Sequence, residues 1–511
     1  MPENAGQVVT GTPEMERCAS FAQMPPIVST RRGTSALSPV RAAAYGQGMS
    51  MPGQPTTMRG ELAANMRLAW PLALANVLQM LVHAIDVMFV AQLGQQALAA
   101  ATLGISYYWL VNYGLVGVVS AVAPFAAAEL GKRSNRAREV RRSMRMAMWL
   151  AVAGGTLGMG LAALGGHFFE ATGQDPQIAP QAAAFLALIS LSMIPTQLTT
   201  ALRIFVSVMG RPIFATFITG LAIVVNAIAN YAFVFGNLGA PELGLLGSAL
   251  ASVITSVVTL LAYVVAIQTN RRMRRYHLFG RWWRPEWHRL REMLRIGAPI
   301  GLTLVAEAGL FAGAAFLMGR IGAAELAAHS IALQLASFTF QVAYGVSQAA
   351  TIRVGIHYGA GDLAGIARAG RAALTIAVSF MAIAALVLFA FPTPFLAIYI
   401  DADNPANAGL MAIGLQYVYV AAAFQIFDGT QAVASGLLRG LRDTRAPMLI
   451  AIAGYWGIGF AMAMWLGFAS PLGGLGVWLG LAAGLVVVAM LLVWRWRRRD
   501  AYGLLPIPEH T

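Results

Sequence analysis

The sequence predicts an all-α polytopic membrane protein with twelve transmembrane helices in two homologous six-helix bundles. Of its 511 residues, 58% are hydrophobic and 11% are charged, which is too little charge to cover the surface of a soluble protein of this length. Apolar stretches of about 20 residues recur, and each can cross the roughly 30 Å hydrocarbon core of a bilayer. An internal repeat divides these stretches into two equal sets.

The apolar stretches can be placed one by one along the chain. Several exceed the minimum length for a span, so tilted or bent helices are expected. The twelve predicted spans are 68–92, 102–129, 146–165, 181–207, 213–236, 245–268, 296–319, 328–355, 371–392, 408–437, 447–468 and 472–494.

The repeat has a constant offset of 228 residues and needs no gap. Because both copies lie in apolar sequence, the repeated unit is a bundle of membrane helices. Two homologous bundles with ionisable side chains inside them are typical of secondary transporters. The matched pairs are Pro71/Pro299, Leu74/Leu302, Val77/Val305, Gly94/Gly322, Leu98/Leu326, Ala99/Ala327, Ala100/Ala328 and Gly131/Gly359.

The net charge of +14 is concentrated in alternate loops. Arginine clusters follow spans two, six, ten and twelve, whereas the intervening loops carry only Arg320. The positive-inside rule then predicts that both termini are cytoplasmic, in a bacterial-type inner membrane. The basic residues act as topology signals and can contact anionic lipid headgroups, so we expect membrane lipids and no nucleic acid as partners.

The organisation predicted from these patterns has five parts. Residues 1–60 are rich in Pro, Gly, Ser, Thr and Ala and contain no apolar signal segment, which indicates a disordered cytoplasmic extension or, equally, a start codon placed too early. An N-terminal bundle over 61–270, a basic cytoplasmic linker over 271–294, a C-terminal bundle over 295–494 and a cytoplasmic tail over 495–511 follow.

Several kinds of chemistry are excluded by what the sequence lacks. Lys132, the only lysine, precedes Arg133, so there is no P-loop and no ATP is expected. Cys18 is the only cysteine, and neither H-E-x-x-H nor G-x-S-x-G occurs. We therefore expect a monomer that is not an enzyme, has no cofactor and draws its energy from an ion gradient.

Three acidic residues lie well inside predicted spans: Asp86, Glu307 and Asp428. A charge costs several kcal/mol there, so such residues tend to face a cavity and bind something. Each is either a proton site or an oxygen ligand for a cation, and the alternative is a protonated carboxyl that only bonds a neighbouring helix. The repeat places Ala314 opposite Asp86 and Gln79 opposite Glu307, so the two bundles carry their charges differently.

Two amides accompany the first acid. Asn226 and Asn230 are four residues apart and share one face of a helix. With Asp86 they predict an oxygen cluster for Na⁺ or for a proton-carrying network, and plain interhelical hydrogen bonding is an even alternative. A second Na⁺ or H⁺ site is predicted at Glu307 and Asp428.

Four segments of the sequence resemble the multidrug and toxic compound extrusion (MATE) family. They are similar to the family's first helix and following turn, its fifth helix and P-E-L-G turn, its eighth helix, and the end of its tenth helix. Together they extend over nearly everything after residue 65. The segments are DVMFVAQLGQQALAA from Asp86, NYAFVFGNLGAPELGLLG from Asn230, AAHSIALQLASFTFQVAYGVSQAATIRVGIHYG from Ala327 and GTQAVASGLLRGLRDTRAP from Gly429.

The resemblance implies two bundles around a central cleft and the extrusion of cationic, amphipathic compounds in exchange for Na⁺ or H⁺. It implies that Asp86, Asn226 and Asn230 form the N-terminal site, and that Glu307 and Asp428 are the acids of the C-terminal site. Having both C-terminal acids resembles the NorM-like branch of the family. The long N-terminal extension departs from the family pattern.

Two other functions remain open at this stage. A lipid-linked oligosaccharide flippase of the wider superfamily would favour basic residues in the cleft to hold phosphate. Arg203 and Arg353 lie near predicted cytoplasmic helix ends and are poorly placed for that task. A membrane-embedded transferase would need Asp- or His-rich clusters at a membrane face, and the sequence has none.

Overall fold

The computed structural model describes residues 55–132, 136–280, 285–401 and 404–506, so nearly all of the predicted N-terminal extension lies outside the described residues. Every regular element in these ranges is helical. Eleven of the described helices are long and apolar enough to cross a membrane, and one bent pair makes a twelfth span. The predicted fold class, an all-α polytopic membrane protein, is confirmed.

The twelve spans are labelled α1 to α12 in chain order. Their bounds are α1 Met58–Ala91, α2 Gln95–Gly131, α3 Arg136–Ala171, α4 Ala179–Ser190 with Met193–Val208, α5 Ile213–Phe235, α6 Leu245–Thr269, α7 Trp287–Ile321, α8 Ala323–Ala360, α9 Leu363–Ala390, α10 Pro405–Gly440, α11 Arg445–Phe468 and α12 Gly474–Arg497.

The helices differ from the predicted spans mainly at their ends and at two irregular points. The α1 helix begins ten residues early, where the Thr57 hydroxyl accepts a hydrogen bond from the backbone of Gly60 at 3.1 Å, and α7 begins inside the range 271–294 predicted as a linker. Hydropathy marks only the apolar part of a helix, so polar first turns escape it. The two parts of α4 meet at 44°, and α11 contains a π-helical stretch, Ala453–Phe460.

The two halves of the chain meet through contacts that follow the repeat. A side chain at Gly131 would collide with the Ile356 carbonyl, and one at Gly359 would collide with the Ala128 carbonyl. These two contacts exchange under the offset of 228 residues. Small residues let membrane helices approach closely and gain packing energy. The interface of α2 with α8 therefore has pseudo-two-fold symmetry.

A second pair of close contacts obeys the same exchange. Gly117 of α2 faces Gly301 of α7, and Gly345 of α8 faces Ala73 of α1, where a Cβ on Gly345 would lie 2.6 Å from the Ala73 nitrogen. All these contacts lie toward one end of the helices, where the arginine-rich segments follow α2, α6, α10 and α12. We call this end the basic side.

The segment before α7 is joined to α3 by ion pairs on the basic side. Glu286 accepts hydrogen bonds from Arg142, with Nε 2.7 Å from Oε2, and from Arg145 at 3.2 Å. The hydrogen bond from Arg142 is the main cause that holds the pKa of Glu286 below its ordinary value, against the opposing effect of burial. The carboxylate is therefore ionised, and its pairing stabilises the fold at neutral pH.

We expect Gly359→Ala to lower the thermal stability of the protein or to prevent its folding. The added methyl group would collide with backbone of α2, which cannot rotate away. Gly220→Ala is the matched control, because it lies within α5 and its Cβ would meet nothing within 4 Å; alanine there should be neutral or stabilise by up to about 1 kcal/mol. Thermal unfolding in detergent checks this, and equal stability of the two variants would contradict it.

We expect Glu286→Gln to lower stability slightly at neutral pH, by about 1 kcal/mol or less because the ion pairs are partly exposed. A carboxyl with a lowered folded-state pKa contributes stability above its ordinary pKa and loses it as the pH falls through the folded value. The difference from the unaltered protein should therefore vanish in acid. Unfolding midpoints as a function of pH measure this, with exposed Glu170→Gln as the control; a difference that persists in acid would show another origin.

Candidate functional site

The structure brings Asp86 of α1 together with both amides of α5. The Nδ2 atoms of Asn226 and Asn230 each donate to Oδ1 of Asp86 at 2.8 Å. Asn230 also donates to the Asn226 carbonyl at 3.0 Å. Both asparagines are fully buried, and Asp86 is 8% exposed. The cluster predicted from the four-residue spacing therefore exists in the fold.

The acceptor side of this cluster is unfilled. The Oδ1 atoms of Asn226 and Asn230 are buried and have no hydrogen-bond partner among the described residues. Such an atom costs free energy unless something binds it. An amide presents nitrogen or oxygen according to a half-turn of its terminal torsion. The same two side chains can thus donate to the Asp86 carboxylate or, after rotation, join it in coordinating a cation.

Ser252 is a member of this cluster that the sequence analysis missed. Its Oγ donates to Oδ2 of Asp86 at 3.2 Å from α6. A lone serine in an apolar helix more often bonds its own backbone, as Ser256 does with the Val253 carbonyl. Only the packing of α6 against α1 distinguishes Ser252 from such residues.

The structure also brings Glu307 of α7 and Asp428 of α10 into one cluster, joined by a glutamine. The Nε2 atom of Gln431 lies 3.1 Å from Oε1 of Glu307 and 3.3 Å from Oδ1 of Asp428. Asp428 is 6% exposed and Glu307 is partly buried. Gln431 was also missed, although its position three residues after Asp428 places both on one helix face.

The three acids have no cationic partner within ion-pairing distance in the part of the chain that the structure describes. Arg439, one helical turn or more from the site on α10, acts on Glu307 only through its longer-range field. The two clusters lie in different halves of the repeat, and no described hydrogen bond joins them. The N-terminal cluster has one carboxyl group with neutral oxygens, and the C-terminal cluster has two carboxyl groups with one amide.

These features define a polytopic membrane protein of two homologous halves, each with a buried polar cluster that contains a carboxyl group. The MatE family model matches the chain twice, over residues 71–232 and 299–465, and the two matched segments begin with the repeat-related prolines. The chain belongs to the MatE family, which confirms the resemblance seen in the sequence.

The protein is similar to curated and solved proteins along most of its length. It is 42% identical over 442 residues to the "Probable multidrug resistance protein NorM" of Mesorhizobium japonicum, covering 86% of this chain and 95% of that one. The crystal structure of the eukaryotic MATE transporter AtDTX14 superposes with a TM-score of 0.75 at 18% identity, covering 88% of this chain and 100% of the other.

A third similar protein has the same fold but a different pocket. It is a MOP superfamily transporter from Pyrococcus furiosus, with a TM-score of 0.77 at 18% identity, covering 87% of this chain and 96% of that one. That protein is described by a reversed polarity of its binding pocket that suggests a different function. At such identity the likeness shows the fold, and the function must be argued from the side chains of the site.

We expect Asn230→Leu to destabilise the protein by about 1–3 kcal/mol, because it removes one of the donors to the buried Asp86 carboxyl. Ser252→Ala removes a longer bond from a partly exposed hydroxyl and should cost about 1 kcal/mol or less. Thermal unfolding of both variants in detergent gives the comparison. A greater loss in Ser252→Ala would show that the asparagine does not hold the carboxyl.

Proposed function

We propose that this protein is a secondary multidrug efflux antiporter that exchanges cationic amphipathic compounds for Na⁺ or H⁺ by alternating access. The observation that carries the proposal is that Asp86, Glu307 and Asp428 lie inside apolar helices without an ion-paired partner among the described residues. Unpaired carboxyl groups at that depth are costly and are typical of ion and substrate pathways. The name of the Mesorhizobium relative supports multidrug efflux.

The exchange follows from competition for few negative charges. A small cation and an organic cation are both drawn to the carboxylates of the clusters, so binding of one weakens binding of the other. This negative coupling is reciprocal. The ion enters from the side where its electrochemical potential is high and displaces the organic cation there. The bundles then rock, and the emptied or ion-loaded site faces the other side.

Both clusters suit either ion. In the N-terminal cluster, Asp86 with the unfilled oxygens of Asn226 and Asn230 and the Ser252 hydroxyl supplies oxygen ligands for Na⁺. In the C-terminal cluster, Glu307 and Asp428 supply two carboxyl groups, and Gln431 adds an amide. The same carboxyl groups can instead accept protons. On this proposal both ions are transported substrates.

The orientation in the membrane is part of the proposal. The arginine-rich segments assign the basic side to the cytoplasm of a bacterial-type inner membrane, with both termini inside. The close contacts of α1 and α2 with α7 and α8 lie on that side. The structure then corresponds to a state closed toward the cytoplasm, and the protein acts as a monomer among lipids.

The basic residues near the cleft argue against the lipid-linked flippase. Arg353 is paired with Glu61 by two hydrogen bonds, and Arg203 donates to Asn76. Each arginine that the flippase would use to hold phosphate thus already has a partner within the protein. The charges exposed to the proposed sites are acidic, which favours cationic substrates.

We expect a fluorescent organic cation to move in inside-out vesicles under either a Na⁺ gradient or a pH gradient imposed alone. Asp428→Asn and Glu307→Gln should reduce the driven rate by about tenfold or more, because each removes a charge through which ion and substrate compete. Glu170→Gln, an exposed acid outside both clusters, is the matched control and should transport normally.

Two results of that assay would decide against parts of the proposal. Ion-driven transport at the normal rate by both Asp428→Asn and Glu307→Gln would overturn the role of the C-terminal cluster. Absence of gradient-driven movement of every tested cation, with folded protein in the vesicles, would overturn antiport and favour the lipid-linked flippase, which a labelled lipid-linked sugar would then test.

A further inference from the structure

A buried ion pair joins the two halves of the protein on the basic side. Glu61, in the first turn of α1, accepts two hydrogen bonds from Arg353 of α8: Nε to Oε1 at 2.8 Å and Nη2 to Oε2 at 2.7 Å. The side chain of Glu61 is 0% exposed and that of Arg353 is 7% exposed. Such bidentate pairing is strong and directional.

Neighbouring side chains hold both partners in place. Asn65 donates to Oε1 of Glu61 at 3.2 Å from the next turn of α1. On α8, Nε2 of His357 lies 3.2 Å from Nη2 of Arg353 and 3.5 Å from Oε2 of Glu61. The other ring nitrogen of His357 lies 3.0 Å from Asp362. The pair is therefore the centre of a network that is built from both halves.

The far end of the network is anchored in the turn between α8 and α9. Asp362 accepts a hydrogen bond from the backbone of Gly365 at 2.8 Å and pairs with Arg368 at 3.4 Å. Burial raises the pKa of Asp362, but its bonds to His357 and Gly365 outweigh burial and hold the pKa below its ordinary value. The charged carboxylate fixes His357 and, through it, Arg353.

The repeat does not require this ion pair. At the offset of 228 residues, Glu61 corresponds to Arg289 and Arg353 to Phe125. Arg289 bonds Glu139 of α3, and the ring of Phe125 packs under the guanidinium of Arg442 at 4.4 Å. The pseudo-symmetric contact is thus made by packing alone on one side of the axis, whereas the other side has gained a buried pair of charges.

We propose that the Glu61–Arg353 pair is a latch that keeps the two bundles closed on the basic side, and that the protein opens there only when the pair separates. This rests on the proposed alternating access. When the bundles part, water reaches both charges and replaces the broken bonds. When they are closed, the pair compensates for two buried charges. Removing one partner leaves the other charge buried and unpaired, which penalises the closed state alone.

The opening can be measured as distances between spin labels. Replacing Cys18 by serine removes the only cysteine. Cysteines at exposed Ile213 and Arg445 report on the basic side, and cysteines at exposed Gln96 and Ala324 report on the opposite side. Double electron–electron resonance then gives the populations of open and closed forms without any substrate, ion gradient or transport assay.

We expect Arg353→Met to raise the ratio of the open to the closed basic side by roughly tenfold or more, since an unpaired buried charge is strongly unfavourable. Distances across the basic side should lengthen while those on the opposite side shorten. Replacing both partners, in Glu61→Leu with Arg353→Met, should restore the closed form, because an apolar pair of similar volume leaves no charge unpaired.

A matched control separates a latch from a merely stabilising ion pair. Asp443 and Arg495 also pair on the basic side, at 2.6 Å, but both lie in the C-terminal half. Asp443→Asn should lower the unfolding midpoint without changing either distance distribution. Unchanged distances in Arg353→Met, or equal changes in Arg353→Met and Asp443→Asn, would overturn the latch.

Two further outcomes are distinguishable. If Arg353→Met does not fold, Arg353→Lys provides the same test, because it keeps the charge and loses the second hydrogen bond; an intermediate shift supports the latch, and no shift overturns it. A distance shift in a protein that transports no cation would uphold the latch as a conformational device and overturn the proposed antiport.

Discussion

The close contact of α1 and α2 with α7 and α8 is the constraint on which the rest of the structure depends. Lipid tails are as apolar as the helices, so the two halves gain little from hydrophobic attraction and must pack closely to associate. Glycines at 131 and 359 allow backbone to meet backbone there. The contact is confined to the basic side of the described helices, which leaves their other ends free to carry polar groups. The location of the two clusters follows from this arrangement.

The sequence predicted the features whose signals are local or periodic. Apolar length gave the spans, the constant offset gave the two halves, and the spacing of Asn226 and Asn230 gave a shared helix face. Ser252 and Gln431 were missed because their roles depend on which neighbouring helix they touch, which no local pattern records. Glu61 and Arg353 are 292 residues apart in the chain, so their pairing could be found only from the packed structure.

Fold and function separate clearly in this family. The Pyrococcus furiosus transporter superposes on this chain as well as the eukaryotic MATE transporter does, yet it is described by a pocket of reversed polarity. The two-bundle architecture therefore does not determine the charge of what is carried. In this chain the repeat has kept its glycine and proline positions, whereas Asp86 and Glu307 have no acidic counterpart in the other half.

That divergence gives the two clusters different capacities on the proposed function. A single monovalent ion neutralises the one carboxylate of the N-terminal cluster, and nothing remains there to attract an organic cation. The C-terminal cluster, with Glu307 and Asp428, keeps one negative charge after binding the same ion. Attraction between unit charges in a poorly solvated site amounts to several kcal/mol at contact distance. An organic cation is therefore held most strongly at the C-terminal cluster before an ion arrives and released when both carboxyl groups are neutralised, which makes that half the natural place for exchange.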